Sequence, residues 1–147
     1  MAEPFAMTLR VRYVECDMQR HVFNGHYLTW FDLAHTEALR AATKLSYMEL
    51  TERHGMQFVV AESNVRYRAP AHYDDELTIR VAFEPPTTSS LTSRFTILRD
   101  GATIAEGFLR HVCVDAQTYN KMPWPDALRE AFGRFQTAAG APPSPPA

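Results

Sequence analysis

The sequence has no long apolar run and no leader-like N-terminus. No stretch approaches the ~18 uncharged apolar residues that a membrane-spanning helix needs. The first ten residues, Met1 to Arg10, lack the basic segment followed by an apolar segment that is typical of a secretory signal. We therefore expect a cytoplasmic protein without a membrane partner.

Cysteine is scarce, and no motif for a metal or a nucleotide is present. The two cysteines, Cys16 and Cys113, lie far apart and outside any Cys-x-x-Cys or histidine-rich spacing. This predicts neither a disulfide framework nor a structural metal site. No glycine-rich phosphate loop occurs, so the sequence gives no support for nucleotide-dependent redox or phosphoryl-transfer chemistry.

The chain also lacks an excess of positive charge. Fifteen Lys and Arg residues against seventeen Asp and Glu residues give a formal net charge of -2. A protein that binds the nucleic-acid backbone needs a broad cationic surface. We therefore expect no nucleic-acid partner.

The composition is that of a globular protein. The chain has 147 residues, of which 46% are hydrophobic and 22% charged, close to the averages for one folded domain. The last nine residues, 139–147, contain four prolines and no large apolar side chain. Such a segment gains too little burial to offset its ordering entropy. We predict one domain over residues 1–138 and a disordered tail over residues 139–147.

Apolar periodicity predicts an α+β fold with one long helix packed on one antiparallel sheet of about five strands. The predicted strands are Phe5 to Tyr13, Phe58 to Ala69, Glu76 to Phe83, Leu91 to Leu98 and Thr103 to Val114. The predicted helices are a long one capped by Asn24 and ending near Lys44, a short one from Ser46 to Gly55, and a closing one from Pro125 to about Gln136. Asp100 and Gly101 favour a type I′ hairpin turn between the last two strands.

The segment from Arg12 to Tyr27 is the most unusual part of the sequence, because it joins a strand to a helix through polar residues. Asp17 falls just ahead of the predicted helix start. An ionised carboxylate there could activate water or attack a carbonyl, and free N–H groups at the helix N-terminus could stabilise an oxyanion. An Asp in this position also has a structural interpretation, as a cap or turn residue.

The same segment resembles the signature of the 4-hydroxybenzoyl-CoA thioesterase family of hotdog-fold proteins. The resemblance covers roughly residues 5 to 135 and depends first on Asp17-x-x-x-His21-Val22-x-Asn24-x-x-Tyr27, followed by Trp30-Phe31-Asp32. Later pieces in the family's order are Val65-Arg66-Tyr67-Arg68-Ala69-Pro70, Asp74-Asp75-Glu76-Leu77, and Val112-Cys113-Val114-Asp115 before Met122-Pro123.

The resemblance implies a hotdog fold, in which a curved antiparallel sheet wraps a long helix, and a homodimer or dimer of dimers with active sites at the dimer interface. It implies thioester hydrolysis, with Asp17 as the catalytic carboxylate and backbone N–H groups near Asn24 as the oxyanion hole. The substrate would be an acyl-CoA or an acyl-carrier-protein thioester. Coenzyme A would enter as part of the substrate, and no cofactor is expected.

Further candidate site residues surround this motif. His21 could tune Asp17 or contact substrate, and Tyr27 and Phe23 could line an acyl pocket, although helical aromatics usually belong to the core. Arg66 and Arg68 could bind the phosphates of coenzyme A, although arginines on a solvated strand need no such role.

The sequence departs from the family pattern at three positions. Arg20 replaces a common glycine, Phe23 replaces an Asn of one variant, and His35 stands where an Arg is frequent. The first two changes could reshape the acyl pocket, and we carry over no role for His35.

Two other functions remain open. One is a hotdog dehydratase or hydratase, in which His21 or His26 would abstract a proton next to the thioester. The other is a dimeric acyl-binding module without turnover, because a fold does not guarantee activity. For the hydrolase, the choice between a general base and a nucleophile at Asp17 also remains open.

Overall fold

The computed structural model describes residues 3–141. Its strands are β1 Phe5–Arg10, β2 Met56–Tyr67, β3 Glu76–Phe83, β4 Ser90–Arg99 and β5 Ala102–Asp115. Its helices are α1 His26–Thr43, α2 Tyr47–His54 and α3 Asp126–Gly133. This order confirms the predicted α+β class and the number of strands.

The five strands form one antiparallel sheet in the order β1-β3-β4-β5-β2. Strands β1 and β2 are therefore its two edges. Asp100 and Gly101 connect β4 to β5 with φ angles of 52° and 81°. Two successive positive φ values are what a type I′ turn requires, so the predicted hairpin is confirmed.

Helix α1 packs its apolar side against the sheet, which is the predicted hotdog arrangement. Phe31 is fully buried and stacks on Phe95 of β4, with ring centroids 4.4 Å apart and planes 6° apart. Gly107 of β5 permits this close approach, because a Cβ there would lie 2.9 Å from the Phe31 ring and would overlap the Asn64 carbonyl oxygen. The sheet thus curves around the middle of α1.

A polar cluster lies inside this apolar core. The rings of His35 on α1 and His111 on β5 stack at 4.2 Å and are almost fully buried. The Nδ1 atom of His35 lies 2.9 Å from the Ser93 hydroxyl. Burial lowers the pKa of His35 well below 6.5, with a further contribution from His111, and burial lowers the pKa of His111 to about 4. Both imidazoles are therefore neutral at neutral pH.

The first strand is shorter than predicted. We expected it to extend to Tyr13, but β1 ends at Arg10 and a 3-10 turn covers Tyr13–Glu15. The Tyr13 side chain is 82% exposed, so its place in the apolar alternation did not reflect burial. The chain leaves the sheet there because the Glu15 N–H bonds the Arg12 carbonyl oxygen at 3.0 Å, closing a turn.

The cap predicted for α1 is also wrong. The N-cap residue is Gly25 rather than Asn24, and no side chain caps the helix. By contrast, α2 has the predicted capping box between Ser46 and Glu49, and it ends at Gly55 in the left-handed region. Asn24 lies one residue too early, because the chain is still turning from Phe23 through His26 before regular helix begins.

The C-terminal segment continues past α3 along the sheet. The Thr137 N–H bonds the Phe83 carbonyl oxygen at 2.7 Å, and the Gly140 N–H donates to a carboxylate oxygen of Glu84 at 2.9 Å. Part of the tail that we predicted to be disordered, residues 142–147, lies outside the described residues.

Candidate active site

The segment that carries Asp17 is a tight hairpin between Cys16 and Val22. The Asp17 N–H bonds the His21 carbonyl oxygen at 2.8 Å, and the Arg20 N–H bonds the Asp17 carbonyl oxygen at 2.9 Å. Arg20 has a φ of 66°, in the left-handed region that favours glycine. This conformation gives a physical reason for the family's frequent glycine at that position.

The Asp17 carboxylate is half-buried and only partly engaged. Its Oδ1 atom accepts a hydrogen bond from the Gln19 N–H at 2.9 Å, which fixes the side chain above the turn. Within residues 3–141, Oδ2 makes no hydrogen bond. One carboxylate oxygen is thus available to a water molecule or a carbonyl carbon.

The N-terminus of α1 offers unpaired donors. The His26 N–H bonds the Phe23 carbonyl oxygen at 3.0 Å, and the Tyr27 N–H makes a long bond of 3.4 Å to the Asn24 carbonyl oxygen. Over the part of the chain that the structure describes, the N–H groups of Asn24 and Gly25 find no acceptor. Free N–H groups at the positive end of a helix dipole suit an anionic oxygen.

An open cleft of about 370 Å³ joins these two elements. It brings together five of the seven predicted site residues: Asp17, His21, Asn24, Tyr27 and Arg68. Gln19, Val22, Tyr67, Ala69 and Pro70 complete its lining. The hairpin, the start of α1 and the end of β2 thus converge on a single concave site.

Phe23 and Arg66 do not reach this cleft. The Phe23 ring is about half exposed and packs edge-on against His26, with centroids 5.9 Å apart. Arg66 lines a separate depression of about 260 Å³ on the sheet, together with Arg94 and Phe108. The predicted roles of these two residues therefore have no support from the geometry of the cleft.

Two of the residues in the cleft also have structural roles. Tyr27 is only 3% exposed and packs edge-on against Trp30 and Tyr67, each 5.2 Å away, and its burial raises its pKa. The Arg68 guanidinium lies 2.6 Å from a carboxylate oxygen of Glu106. Tyr27 therefore presents only a small surface to the cleft. The Arg68 guanidinium, which also lines the cleft, is already in an ion pair.

Sequence reasoning missed two residues of this region. Tyr67 donates its hydroxyl to the Asn24 carbonyl oxygen at 3.0 Å, across 43 positions of sequence, and strand periodicity gives no sign of this contact. Glu15 is buried beneath the hairpin and accepts a hydrogen bond from the Trp30 indole N–H at 3.0 Å. No short-range motif signals Glu15, because the Arg12 side chain has no acceptor and therefore does not form the Ser/Thr-x-x-Glu pattern of a capping box.

Asp17 also borders a second cleft, of about 520 Å³. Its other lining residues are Tyr13, Cys16, Met18, Arg20 and Tyr73. The Cys16 thiol points to the Arg12 carbonyl oxygen at 3.8 Å, a weak contact that gives it no basic partner. The geometry therefore favours Asp17 over Cys16 as the reactive group.

An antiparallel sheet wrapped around one long helix is the architecture of the hotdog fold. A family model described as the thioesterase-like superfamily matches residues 11–132. The chain belongs to this superfamily.

The chain is similar to proteins with named thioesterase activity. It is 29% identical over 124 residues to the long-chain acyl-CoA thioesterase FadM of Escherichia coli K12, covering 83% of this chain and 92% of that one. It is 30% identical over 129 residues to the acyl-CoA thioester hydrolase YbgC of Escherichia coli O6:H1, covering 87% and 95%. These comparisons confirm the predicted enzyme class, a thioester hydrolase.

Solved structures support the fold. The 1,4-dihydroxy-2-naphthoyl-CoA thioesterase from Synechocystis superposes with a TM-score of 0.80 at 18% identity, covering 88% of this chain and 96% of that one. This likeness confirms the hotdog prediction. None of the helices among residues 3–141 is both long and apolar enough to cross a membrane.

Proposed function

We propose that this chain hydrolyses acyl-CoA thioesters at the cleft between the Asp17 hairpin and the N-terminus of α1. The supporting observation is that Asp17, with one carboxylate oxygen free, and Asn24, with its N–H unpaired within residues 3–141, line the same cleft, and the unpaired Gly25 N–H follows Asn24 directly in the chain. A thioester needs these two functions: a group that delivers or acts as the nucleophile, and donors for the oxygen that becomes negative.

Two routes use the same groups. With Asp17 as general base, a water molecule gives a proton to the carboxylate while its oxygen bonds to the carbonyl carbon. The C–S bond then breaks, and the departing thiolate takes up the proton. With Asp17 as nucleophile, its oxygen bonds to the carbonyl carbon, the thiolate leaves, and water hydrolyses the resulting anhydride. In both routes the Asn24 and Gly25 N–H groups donate to the carbonyl oxygen.

The carrier is coenzyme A in our proposal, in line with the activities named for the relatives. Acyl-carrier-protein thioesters are a second substrate class, because the chemistry requires only the thioester. His21 and Tyr27 contact the substrate near the reacting carbon, and Arg68 at the cleft edge contacts a phosphate. Arg66 and Phe23 would contribute only to more distant parts of the substrate, since neither borders the cleft.

A second copy of the chain completes the site in this proposal, as a homodimer or a dimer of dimers. The edge strand β2 exposes apolar side chains, with Val60 50% and Val59 37% exposed. Exposed apolar residues on an unpaired strand edge are typical of a surface that another chain covers. Light scattering at micromolar concentration tests this, and a stable monomer would exclude a shared site.

The proposed location of the protein is the cytoplasm.

The activity is tested by free-thiol release from aliphatic, β-keto and aromatic acyl-CoAs, comparing wild type with Asp17→Asn. We expect kcat/KM to fall at least ~100-fold in the variant, about 2.7 kcal/mol of transition-state stabilisation. Asp126→Asn is a matched control, because Asp126 lies on α3 away from the cleft.

Each outcome has a defined meaning. Equal rates for wild type and Asp17→Asn would remove Asp17 from the mechanism. Turnover of an unsaturated acyl-CoA without thiol release would favour a hydratase. Binding of acyl-CoA without any turnover would favour a non-catalytic acyl-binding module.

A further inference from the structure

Glu15 is a buried carboxylate that the proposed reaction does not use. Its side chain is 5% exposed, and it lies two residues before Asp17. Burying a carboxylate without partners is strongly unfavourable, so a folded chain retains one only where hydrogen bonds compensate. The partners of Glu15 are therefore informative about its role.

Both carboxylate oxygens of Glu15 accept hydrogen bonds. Oε1 accepts from the Arg12 backbone N–H at 2.8 Å. Oε2 accepts from the Trp30 indole N–H at 3.0 Å and from the Arg12 guanidinium at 3.2 Å. Burial by itself raises the pKa of Glu15, but the bonds from Arg12 and Trp30 together with the Arg12 charge lower it overall. Glu15 is therefore ionised at neutral pH.

These contacts connect the two elements that border the cleft, the Asp17 hairpin and the N-terminal part of α1. The side chain reaches Trp30, in the second turn of α1. The Glu15 carbonyl oxygen accepts the Phe23 N–H at 2.9 Å, immediately before Asn24. One residue is thus bonded to the helix and to the chain that enters it, while its own chain continues directly into the Asp17 hairpin.

We propose that Glu15 is a positioning residue, which holds Asp17 at a fixed separation from the N–H groups of Asn24 and Gly25. This inference depends on the proposed function, because it assigns Glu15 an effect on the rate through Asp17. Catalysis is sensitive to such placement, since a shift of about 1 Å can cost ~10²-fold in rate.

A glutamine cannot replace the carboxylate here. The Arg12 and Trp30 N–H groups donate to different oxygens of Glu15. Glutamine has a single acceptor oxygen, so its NH₂ group would face one of the two donors. Glu15→Gln therefore keeps the size of the side chain while breaking one of the two connections.

The experiment measures kcat and KM for thiol release by Glu15→Gln. We expect kcat to fall by about 10-fold to 100-fold while KM stays within about 2-fold, because the misplaced Asp17 is needed in the transition state. Glu49→Gln is the matched control, since Glu49 bonds the Ser46 N–H in the capping box of α2, outside the cleft. Its kcat should equal that of wild type.

A double-mutant cycle separates positioning from a general loss of structure. In an Asp17→Asn background, Glu15→Gln should lower the residual kcat by less than about 2-fold, since its effect passes through Asp17. If Glu15→Gln does not fold, Trp30→Phe removes the indole donor instead. It should lower kcat in the same direction, with the thermal midpoint reported beside it.

The outcomes distinguish this inference from the proposed function. Near-wild-type kcat in Glu15→Gln, with activity lost in Asp17→Asn, would overturn the positioning role alone. An equal loss in both backgrounds would also overturn it, because the effect would then bypass Asp17. No thiol release from wild type would overturn the proposed function and this inference together.

Discussion

The N-terminal end of α1 and its middle differ in the exposure of their polar groups. Directly before the first turn, Asn24 and Gly25 are exposed, and their N–H groups lack acceptors within residues 3–141. Two turns later, Phe31 and His35 are almost fully buried against the sheet. The same helix thus has free donors at its N-terminal end and lies at the centre of the core in its middle.

The middle of α1 contributes to the stability of the fold, whereas its N-terminal end keeps polar groups accessible. In the middle of α1, tight packing and neutral imidazoles keep the interior free of charge. At the N-terminal end of α1, free donors and the half-buried Asp17 carboxylate remain accessible. Binding sites commonly retain such unsatisfied groups, because their partners arrive with the substrate.

The largest expected loss of stability comes from a substitution in the middle of α1. Phe31→Ala removes a fully buried ring stacked on Phe95, and we expect it to lower the free energy of unfolding by ~3–5 kcal/mol. Leu33→Ala, on the 42% exposed side of α1, should change it by less than ~1 kcal/mol. Urea denaturation measures both. Equal losses would contradict the assignment of the core to the Phe31 side.

The buried histidines should make stability fall with acid. Unfolded histidine has a pKa near 6.5, whereas folded His111 has a pKa of about 4, so between these values the unfolded chain binds a proton that the folded chain does not. The two histidines therefore do not reduce the free energy of unfolding above about pH 6.5. It should fall by up to ~1.4 kcal/mol per pH unit for each histidine as the pH drops through this window.

Urea denaturation at pH 7 and pH 5 checks this dependence. His111→Phe, which retains a ring against His35, should make the slope of the curve shallower over this range, and the remaining slope comes from His35. The buried or hydrogen-bonded carboxylates with lowered pKa, such as Glu15 and Asp75, lose their contribution only below about pH 4.5. A variant with the same pH dependence as wild type would show that His111 is not the source.

A smaller effect is expected at the helix end. Tyr67→Phe removes the hydroxyl that holds the Asn24 carbonyl oxygen but keeps the ring against Tyr27. Losing about 1 kcal/mol of hydrogen bonding would lower kcat/KM by about 5-fold. Tyr119→Phe makes the same chemical change at a remote turn and should have no effect on thiol release. An unchanged Tyr67→Phe would mean that Asn24 keeps its place without this bond.

The smallest expected change in stability comes from a substitution in the Asp17 hairpin. Arg20 has a left-handed backbone, so Arg20→Gly should raise the free energy of unfolding by ~0.5 kcal/mol, after the added freedom of the unfolded chain is subtracted. Lys44, which ends α1 with a φ of 65°, offers a comparison through Lys44→Gly. Thermal unfolding of both variants measures the change, and a lower midpoint for Arg20→Gly would mean that its side chain has a stabilising contact.

Periodicity predicted the fold well and the loops poorly. Strand β3 has the predicted bounds, and β2, β4 and β5 differ from theirs by one or two residues at each end, because alternation follows burial on a sheet face. Tyr13 and Asn24 were misplaced for a common reason. Their side chains satisfy a local pattern, but the course of the chain there depends on turns closed by backbone hydrogen bonds.

By itself, the sequence determined the α+β class, the hairpin at Asp100 and Gly101, the caps of α2, and Asp17 ahead of a helix. These features depend on local periodicity, on residues that accept positive φ, and on short-range motifs. Only the tertiary structure decided that Tyr67 bonds Asn24, that Arg66 and Phe23 lie outside the cleft, and that Glu15 bonds Trp30. Those contacts join residues that are distant in sequence, and their geometry depends on how the sheet curves around α1.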